Sequence, residues 1–271
     1  MFSDQSIGFI GGGNMGEALI RGLIAGSLFP AEKVSAYDVI ASRIQYLEKE
    51  YGIKGRASIG ELAESSSIIV LAVKPQVISQ VLDTLSAHLW HKPLVISIAA
   101  GVALSTLEGG LPDETPVVRV MPNTPALVQK GASALSRGRA VSAAQMEMSL
   151  ALFRSVGKAA EVEEKLMDAV TGLSGSGPAY VLLVIEALID AGVFMGLPRQ
   201  IARDLVVQTV AGTSMMLEVT GKHPADLKDM ITSPGGTTIQ GLQVLESYSV
   251  RGAFMECVEA ASNRSAELGK S

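Results

Sequence analysis

The sequence predicts an α/β domain with a parallel sheet over residues 1–165, followed by an all-helical domain over residues 166–271. Two observations carry this prediction. Short, continuous apolar runs alternate with helical patterns in the first part, as they do where parallel strands are covered by helices on both faces. After about residue 165 the strand signals stop, and helical stretches are broken only at Gly- and Pro-rich points: 174–178, 196–198, 221–224 and 233–236. A length of 271 residues accommodates two ordinary domains and a substantial core.

Taken in order, the strand candidates are Ile7–Ile10, Val34–Tyr37, 68–73, 94–99 and 117–120, with 132–135 and 159–162 as further pieces that extend the sheet. Helical patterns cover 15–25 and 41–50 between them. Only 4% of the chain is aromatic against 48% hydrophobic, so the core must be built mainly from Ala, Val, Ile and Leu.

Composition also excludes several functions. A formal charge of −5 gives no basic face for nucleic acid. Cys257 is the only cysteine, which rules out an intrachain disulfide and a Cys-rich metal site. His88, His91 and His223 lack metal-ligand spacing, so no metal is expected, and His88 and His91 read as solvated loop residues beside Trp90. The first five residues carry no basic side chain, and the apolar run 7–10 is too short for a signal peptide, so a cytoplasmic location is expected. Residues 178–195 are nearly all apolar, yet Glu186 and Asp190 interrupt them. The longest uncharged apolar core, 179–185, falls well short of the roughly 20 residues of a membrane span, so this segment reads as a buried helix. Its small residues allow close helix approach, and burying all its apolar faces calls for a second copy of the chain.

The first strand runs directly into Gly11, Gly12, Gly13, Asn14, Met15 and Gly16, with a helix following. The spacing is G-x-G-x-x-G. Gly11 permits the tight turn, Gly13 lets a pyrophosphate reach the backbone, and Gly16 allows close packing of helix on strand. The second strand is followed by Asp38, 22 residues after Gly16, where a carboxylate accepts hydrogen bonds from an adenosine ribose. These features define a dinucleotide-binding, Rossmann-type domain. Asp38 favours NAD(H), whereas Ser42 and Arg43 just beyond it could answer the 2′-phosphate of NADP(H), and the choice stays open.

Several further stretches accompany the glycine loop from Ile7 to Gly16: Ala72, Val73, Lys74 and Pro75; Ser97 through Ala99 and Ala100 to Gly101; and Met121, Pro122, Asn123, Thr124 and Pro125. Later come Gly172 through Tyr180, Leu227 to Asp229, and Ser233, Pro234, Gly235, Gly236, Thr237 and Thr238, the most specific stretch. Together these stretches resemble one family, the pyrroline-5-carboxylate reductases. The resemblance implies a Rossmann-type domain followed by a helical domain that dimerises, with the active site formed where they meet. It implies hydride transfer from NADPH or NADH to 1-pyrroline-5-carboxylate, giving L-proline, and larger assemblies built from dimers.

It also implies a set of site residues. Ile10, Gly11 to Gly16, Asp38, Ala72, Val73, Lys74, Pro75, Ala99, Ala100 and Gly101 would meet the cofactor. Ser233, Gly235, Gly236, Thr237 and Thr238 would hold the substrate carboxylate, with Thr238 near the ring nitrogen as the catalytic hydroxyl. Asn123 would position substrate or nicotinamide, although an Asx-turn explains it equally well. Lys74 alone also fits an exposed loop lysine, and Glu164 a solvated charge run rather than a neighbour of the nicotinamide. Pro-Gly-Gly makes a tight bend, Thr237 or Thr238 is placed to cap a helix starting near Ile239, and such a helix start is a ready anion site. Residues 174–178 read as a flexible bend before a helix with Pro178 in its first turn. A proton donor to the imine, whether Thr238 or water, is left open. A 3-hydroxyacid dehydrogenase and a nicotinamide-sensing binding protein are the alternatives.

Overall fold

The computed structural model describes Phe2 and residues 4–269, so Met1, Ser3, Lys270 and Ser271 at the ends of the two expected domains lie outside the described residues. By compactness the chain forms two units: residues up to Ser176 with the chain from Ala260 onward, and Gly177–Glu259. The strands end at Glu161, close to residue 165, but the compact units divide 11 residues further on.

In the first unit β1 (Ile7–Ile10) leads to α1 (Asn14–Ala25), and β2 (Val34–Tyr37) to α2 (Ala41–Tyr51). Then follow β3 (Lys54–Gly55), α3 (Ile59–Glu64), β4 (Ile68–Leu71), α4 (Ile78–Ser86), β5 (Leu94–Ser97), α5 (Leu104–Gly109) and β6 (Val117–Met121). The sheet is completed by β7 (Gly131–Arg137), α6 (Ala143–Arg154) and β8 (Gly157–Glu161). Its order is β3-β2-β1-β4-β5-β6-β7-β8. Every adjacent pair is parallel except β6 with β7. Residues 122–130 make too short a link for a parallel crossover, so β7 must return antiparallel. The departure from an all-parallel sheet follows from that loop.

Alternation along the strands divides the core between the two faces. Phe9, Val70, Ile96 and Val118 pack with Leu19, Leu23 and Phe153 on one side. Ile10, Ile69, Leu71 and Val95 pack with Leu82 and Leu107 on the other. The register then places the site. Ile10 pairs with both Tyr37 and Leu71, and Leu71 pairs with Ser97, so β1, β2, β4 and β5 end flush. The loops that follow them open along one edge, where ligands bind in sheets of this kind. Strand β3 is only two residues long and has no apolar run to announce it.

Residues 174–178 are no flexible bend: helical turns run from Glu164 to Phe194, and Ser176 N–H reaches back five residues to Thr171 O at 2.9 Å. That wide turn absorbs the glycines without breaking the helix. Within these turns lie α7 (Met167–Val170) and α8 (Gly177–Phe194). His88 and His91 are half-buried rather than solvated, bonding Glu64 Oε1 and Ser66 O at 3.0 Å each.

The second unit holds α8, α9 (Arg199–Thr220), α10 (Pro224–Met230), α11 (Thr237–Ser247) and the start of α12 (Val250–Leu268). Helices α8 and α9 approach closely where Gly192 meets Ala202, since a Cβ on Gly192 would lie 3.0 Å from the Ala202 Cβ. Among the described residues of this unit, Ala202 and Leu227 are the only buried apolar side chains. The expected buried helix is therefore not buried in the single chain: no residue of α8 is, and Leu182 and Leu183 are 64% and 68% exposed. One neighbouring helix covers a single face, so the rest awaits another surface. The stretch Glu164–Phe194 is long and apolar enough to cross a membrane by length and composition alone.

Candidate active site

The glycine loop separates into glycines the fold needs and one it does not. Gly11 lies at φ +103°, donates its N–H to Tyr37 O at 2.8 Å, and would carry a Cβ 2.4 Å from Ala72 O. A Cβ on Gly16 would lie 2.6 Å from Gly11 O. Gly13 is exposed, extended at φ −65° and ψ −176°, and an added Cβ would meet nothing within 4 Å. The space above it is open to a ligand, beside the first N–H groups of α1, which have no partners within the helix. Asn14 is exposed and Met15 half-buried at this end.

Asp38 is tied to the same loop. Its Oδ2 accepts the Gly12 N–H at 2.7 Å and its Oδ1 accepts the Ile40 N–H at 2.9 Å. With Ile10, Gly11, Val39, Val73 and Val77 it lines a cleft of about 700 Å³. Val39 and Val77 are exposed apolar surfaces there, suited to a planar ring. Ser42 is exposed, but Arg43 is engaged: its Nε donates to Gly12 O and a terminal nitrogen to Glu17 Oε2.

A second cleft of about 820 Å³ opens beside the loops after β4 and β5, lined by Pro75, Ala100, Gly101, Thr171, Ser176 and Ser265. Ala99 is buried, and its N–H donates to Ser97 Oγ at 3.3 Å. Gly101 takes φ +75°, and Lys74 is exposed beyond half-buried Ala72 and Val73. The end of α12 borders this cleft and is held by Ser265, whose hydroxyl donates to Asp168 Oδ1 at 2.7 Å. Neither Ser265 nor Asp168 carries a sequence motif, which is why sequence reading passed over them.

Glu164 is not part of a solvated charge run. Its Oε1 accepts the Leu104 N–H at 2.6 Å, capping α5, and a bond from buried Arg119 at 3.1 Å. It thus fastens the segment that follows Gly101. Removing it leaves Arg119 without a counter-charge, so Glu164→Ala should lower stability by ~1–3 kcal/mol. Denaturant unfolding checks this, with wild-type stability as the contrary result. Asn123 makes no Asx-turn. Its Nδ2 donates to Ser174 O at 3.0 Å and its Oδ1 accepts the Ala132 N–H at 2.8 Å, so the side chain braces β7 against the helical turn at Ser174.

In the second unit, Ser233 to Gly236 form the loop before α11, and Thr237 and Thr238 are the helix's first two residues. Gly235 takes φ +67°, which favours glycine at the bend, while a Cβ on Gly236 would lie 2.3 Å from the rotatable Ser233 Oγ and 3.2 Å from Ser233 O. The expectation that Thr237 or Thr238 caps the helix is not met: Gly236 is the N-cap, and α11 begins at Thr237. Extended Gly236, at φ −76° and ψ 175°, already turns the chain into the helix. Thr237 and Thr238 therefore sit in the first turn with N–H groups free of helical partners, Thr237 exposed and Thr238 half-buried.

A Rossmann-type sheet with an open glycine loop, an acidic residue after the second strand and a following helical segment defines a nicotinamide-dinucleotide oxidoreductase. Residues 6–101 match the family model described as NADP oxidoreductase, coenzyme F420-dependent, and residues 164–268 match pyrroline-5-carboxylate reductase dimerisation. A pyrroline-5-carboxylate reductase from Synechocystis sp. is 48% identical over 97% of this chain and 98% of its own length. One from Methanosarcina acetivorans is 48% identical over 98% and 99%. The solved Coxiella burnetii pyrroline-5-carboxylate reductase superposes with a TM-score of 0.94 at 36% identity, covering 98% of this chain and 99% of that one. The Plasmodium falciparum pyrroline carboxylate reductase with NADP bound gives 0.89 at 37% identity, covering 99% and 100%. The chain belongs to the pyrroline-5-carboxylate reductase family, and its helical segment is a dimerisation module.

Proposed function

We propose that this chain reduces 1-pyrroline-5-carboxylate to L-proline with NADPH or NADH, the last step of proline biosynthesis. Residues 1–165 serve the cofactor, and residues 166–271 serve dimerisation and the substrate. The observation that carries the substrate side is the start of α11, where free N–H groups and two threonine hydroxyls follow a glycine bend. That arrangement suits one carboxylate. Ser233, Gly235, Gly236 and Thr237 hold it, and the Thr238 hydroxyl hydrogen-bonds the ring nitrogen.

When bound, the reduced nicotinamide supplies the hydride that C5 of the imine accepts, while the nitrogen takes up one proton. The chain's own contribution is orientation, because the protonated imine is already electrophilic. Gly13 admits the pyrophosphate, Asp38 takes the ribose, and Ala72 to Pro75 with Ala99 to Gly101 border the nicotinamide half. Lys74 lies at that edge. Asn123 acts by bracing this region, since both its polar atoms are already engaged. Dimers assemble further into larger rings, and the enzyme works in the cytoplasm.

Substrate-dependent loss of NADPH or NADH absorbance tests the reading, and no loss with either cofactor overturns it. Thr238→Ala should cut kcat/KM for the imine by roughly 5- to 150-fold, the equivalent of ~1–3 kcal/mol, while cofactor affinity stays level. Equal damage to cofactor affinity would remove Thr238 from the substrate side. Sedimentation of the active enzyme reads the ring, and an active species no larger than a dimer would reject it.

A further inference from the structure

The adenosine end of the dinucleotide cleft carries an arrangement of charge that bears on which cofactor it takes. Among the described residues lining the cleft are three carboxylates, Asp38, Glu61 and Glu64, and no lysine or arginine. The side chains beside these carboxylates are already engaged. Arg56 binds Glu61 at 3.0 Å, and His88 binds Glu64 at 3.0 Å.

Arg43 is the cation best placed to meet a ribose phosphate, since an arginine just beyond the second strand is the usual partner of a 2′-phosphate. It flanks Gly12 opposite Asp38: a Cβ on Gly12 would lie 3.3 Å from the Arg43 Cγ and 3.6 Å from Asp38 Oδ2. Its guanidinium is nevertheless turned to Gly12 O and Glu17 Oε2, and it stacks 4.9 Å from the Tyr46 ring centroid. Glu17 is itself fixed. Its Oε1 accepts the Tyr51 hydroxyl at 2.7 Å and the Tyr46 hydroxyl at 3.1 Å. Burial works to raise the Glu17 carboxyl, but the bonds from Arg43, Tyr51 and Tyr46 outweigh it and hold the group below its ordinary value. Glu17 is therefore charged at neutral pH and neutralises Arg43.

We infer that this chain takes the dinucleotide with a free ribose 2′-hydroxyl, NADH, over the 2′-phosphorylated form, and that Glu17 sets this choice by holding Arg43 away from a 2′-phosphate. The inference rests on the dinucleotide-dependent reductase reading. A 2′-phosphate brings between one and two negative charges beside Asp38 and meets no lysine or arginine among the described residues lining the cleft. Glu17 acts through Arg43, so it is a positioning residue for specificity.

Titration calorimetry of the purified protein with 5′-ADP and with 2′,5′-ADP isolates this end of the cleft from hydride transfer. The wild type should bind 2′,5′-ADP about tenfold more weakly than 5′-ADP, a difference of ~1.4 kcal/mol. Glu17→Gln keeps an acceptor for Arg43 while removing its counter-charge, and should bring 2′,5′-ADP to parity or better. Asp38→Ser should shift the ratio in the same direction. The doubly substituted protein, Glu17→Gln with Arg43→Ala, should lose the gain, which a general loosening of the loop would not do. Equal or preferred binding of 2′,5′-ADP by the wild type overturns the inference, as does a Glu17→Gln gain that survives loss of Arg43. Failure to turn over the imine with either cofactor, with ADP binding intact, rejects the substrate reading alone.

Discussion

Gly13→Val is expected to abolish useful cofactor binding while leaving the protein folded. The neighbouring glycines give the contrast. Valine at Gly11 or Gly16 would press on the backbone, since even a Cβ there lies 2.4 Å or 2.6 Å from a carbonyl oxygen. Those substitutions damage the fold and reveal nothing about a ligand. At Gly13 the backbone is extended, the site is exposed, and an added Cβ meets no atom within 4 Å. A branched side chain is accommodated by the free protein and obstructs only what lies above the loop. The affinity for NADH and NADPH should fall about a hundredfold or more, equivalent to ~2.7 kcal/mol, with the unfolding midpoint within a degree or two of wild type. Near-normal cofactor titration in the folded variant would show that the pyrophosphate does not cross Gly13.

That contrast also marks how far the sequence could be read. The strands at Ile7–Ile10 and Val34–Tyr37 appear with the expected bounds, because continuous apolar runs between Gly and polar residues leave little choice of element. Strand β3, Lys54–Gly55, had no such run, and the antiparallel turn of β7 depends on loop length rather than on pattern. At the candidate site, the glycine loop and Asp38 were legible because a G-x-G-x-x-G spacing between a strand and a helix, with an acidic residue after the next strand, is a recognisable sequence pattern. The partners of Glu164, Asn123 and Arg43 were not, since they lie 45, 51 and 26 residues away in the chain at Arg119, Ser174 and Glu17. Tertiary pairing of this kind leaves no periodic trace. The cap of α11 moved from the threonines to Gly236 for a local reason: the bend already supplies extended backbone one residue earlier.

The largest effect on assembly is expected from Leu188→Arg. A helical unit of residues 177–259 with only Ala202 and Leu227 as buried apolar side chains has no sufficient core in the single chain. Its long helix α8 instead exposes Val181, Leu182, Leu183 and Leu188, the last at 47%. Glu186 and Asp190 occupy one side of that helix, four residues apart, and Asp190 is paired with Arg199 at 2.7 Å. The remaining faces are apolar, and each buried leucine contributes roughly 1.5–3 kcal/mol when removed from water. The match of residues 164–268 to a dimerisation family favours a second copy as the covering surface, although the stretch Glu164–Phe194 is also long and apolar enough to cross a membrane by length and composition. Arginine at position 188 removes apolar area and adds a charge that assembly must desolvate, twice over in a symmetric dimer. The dimer should weaken at least about a hundredfold, ~2.7 kcal/mol, and activity should fall at the same protein concentrations at which sedimentation shows the dimer dissociating. A Leu188→Met variant, which conserves volume and apolarity, should keep both assembly and turnover. Full activity from a sedimenting monomer, in either the wild type or Leu188→Arg, would separate catalysis from assembly and refute the dependence.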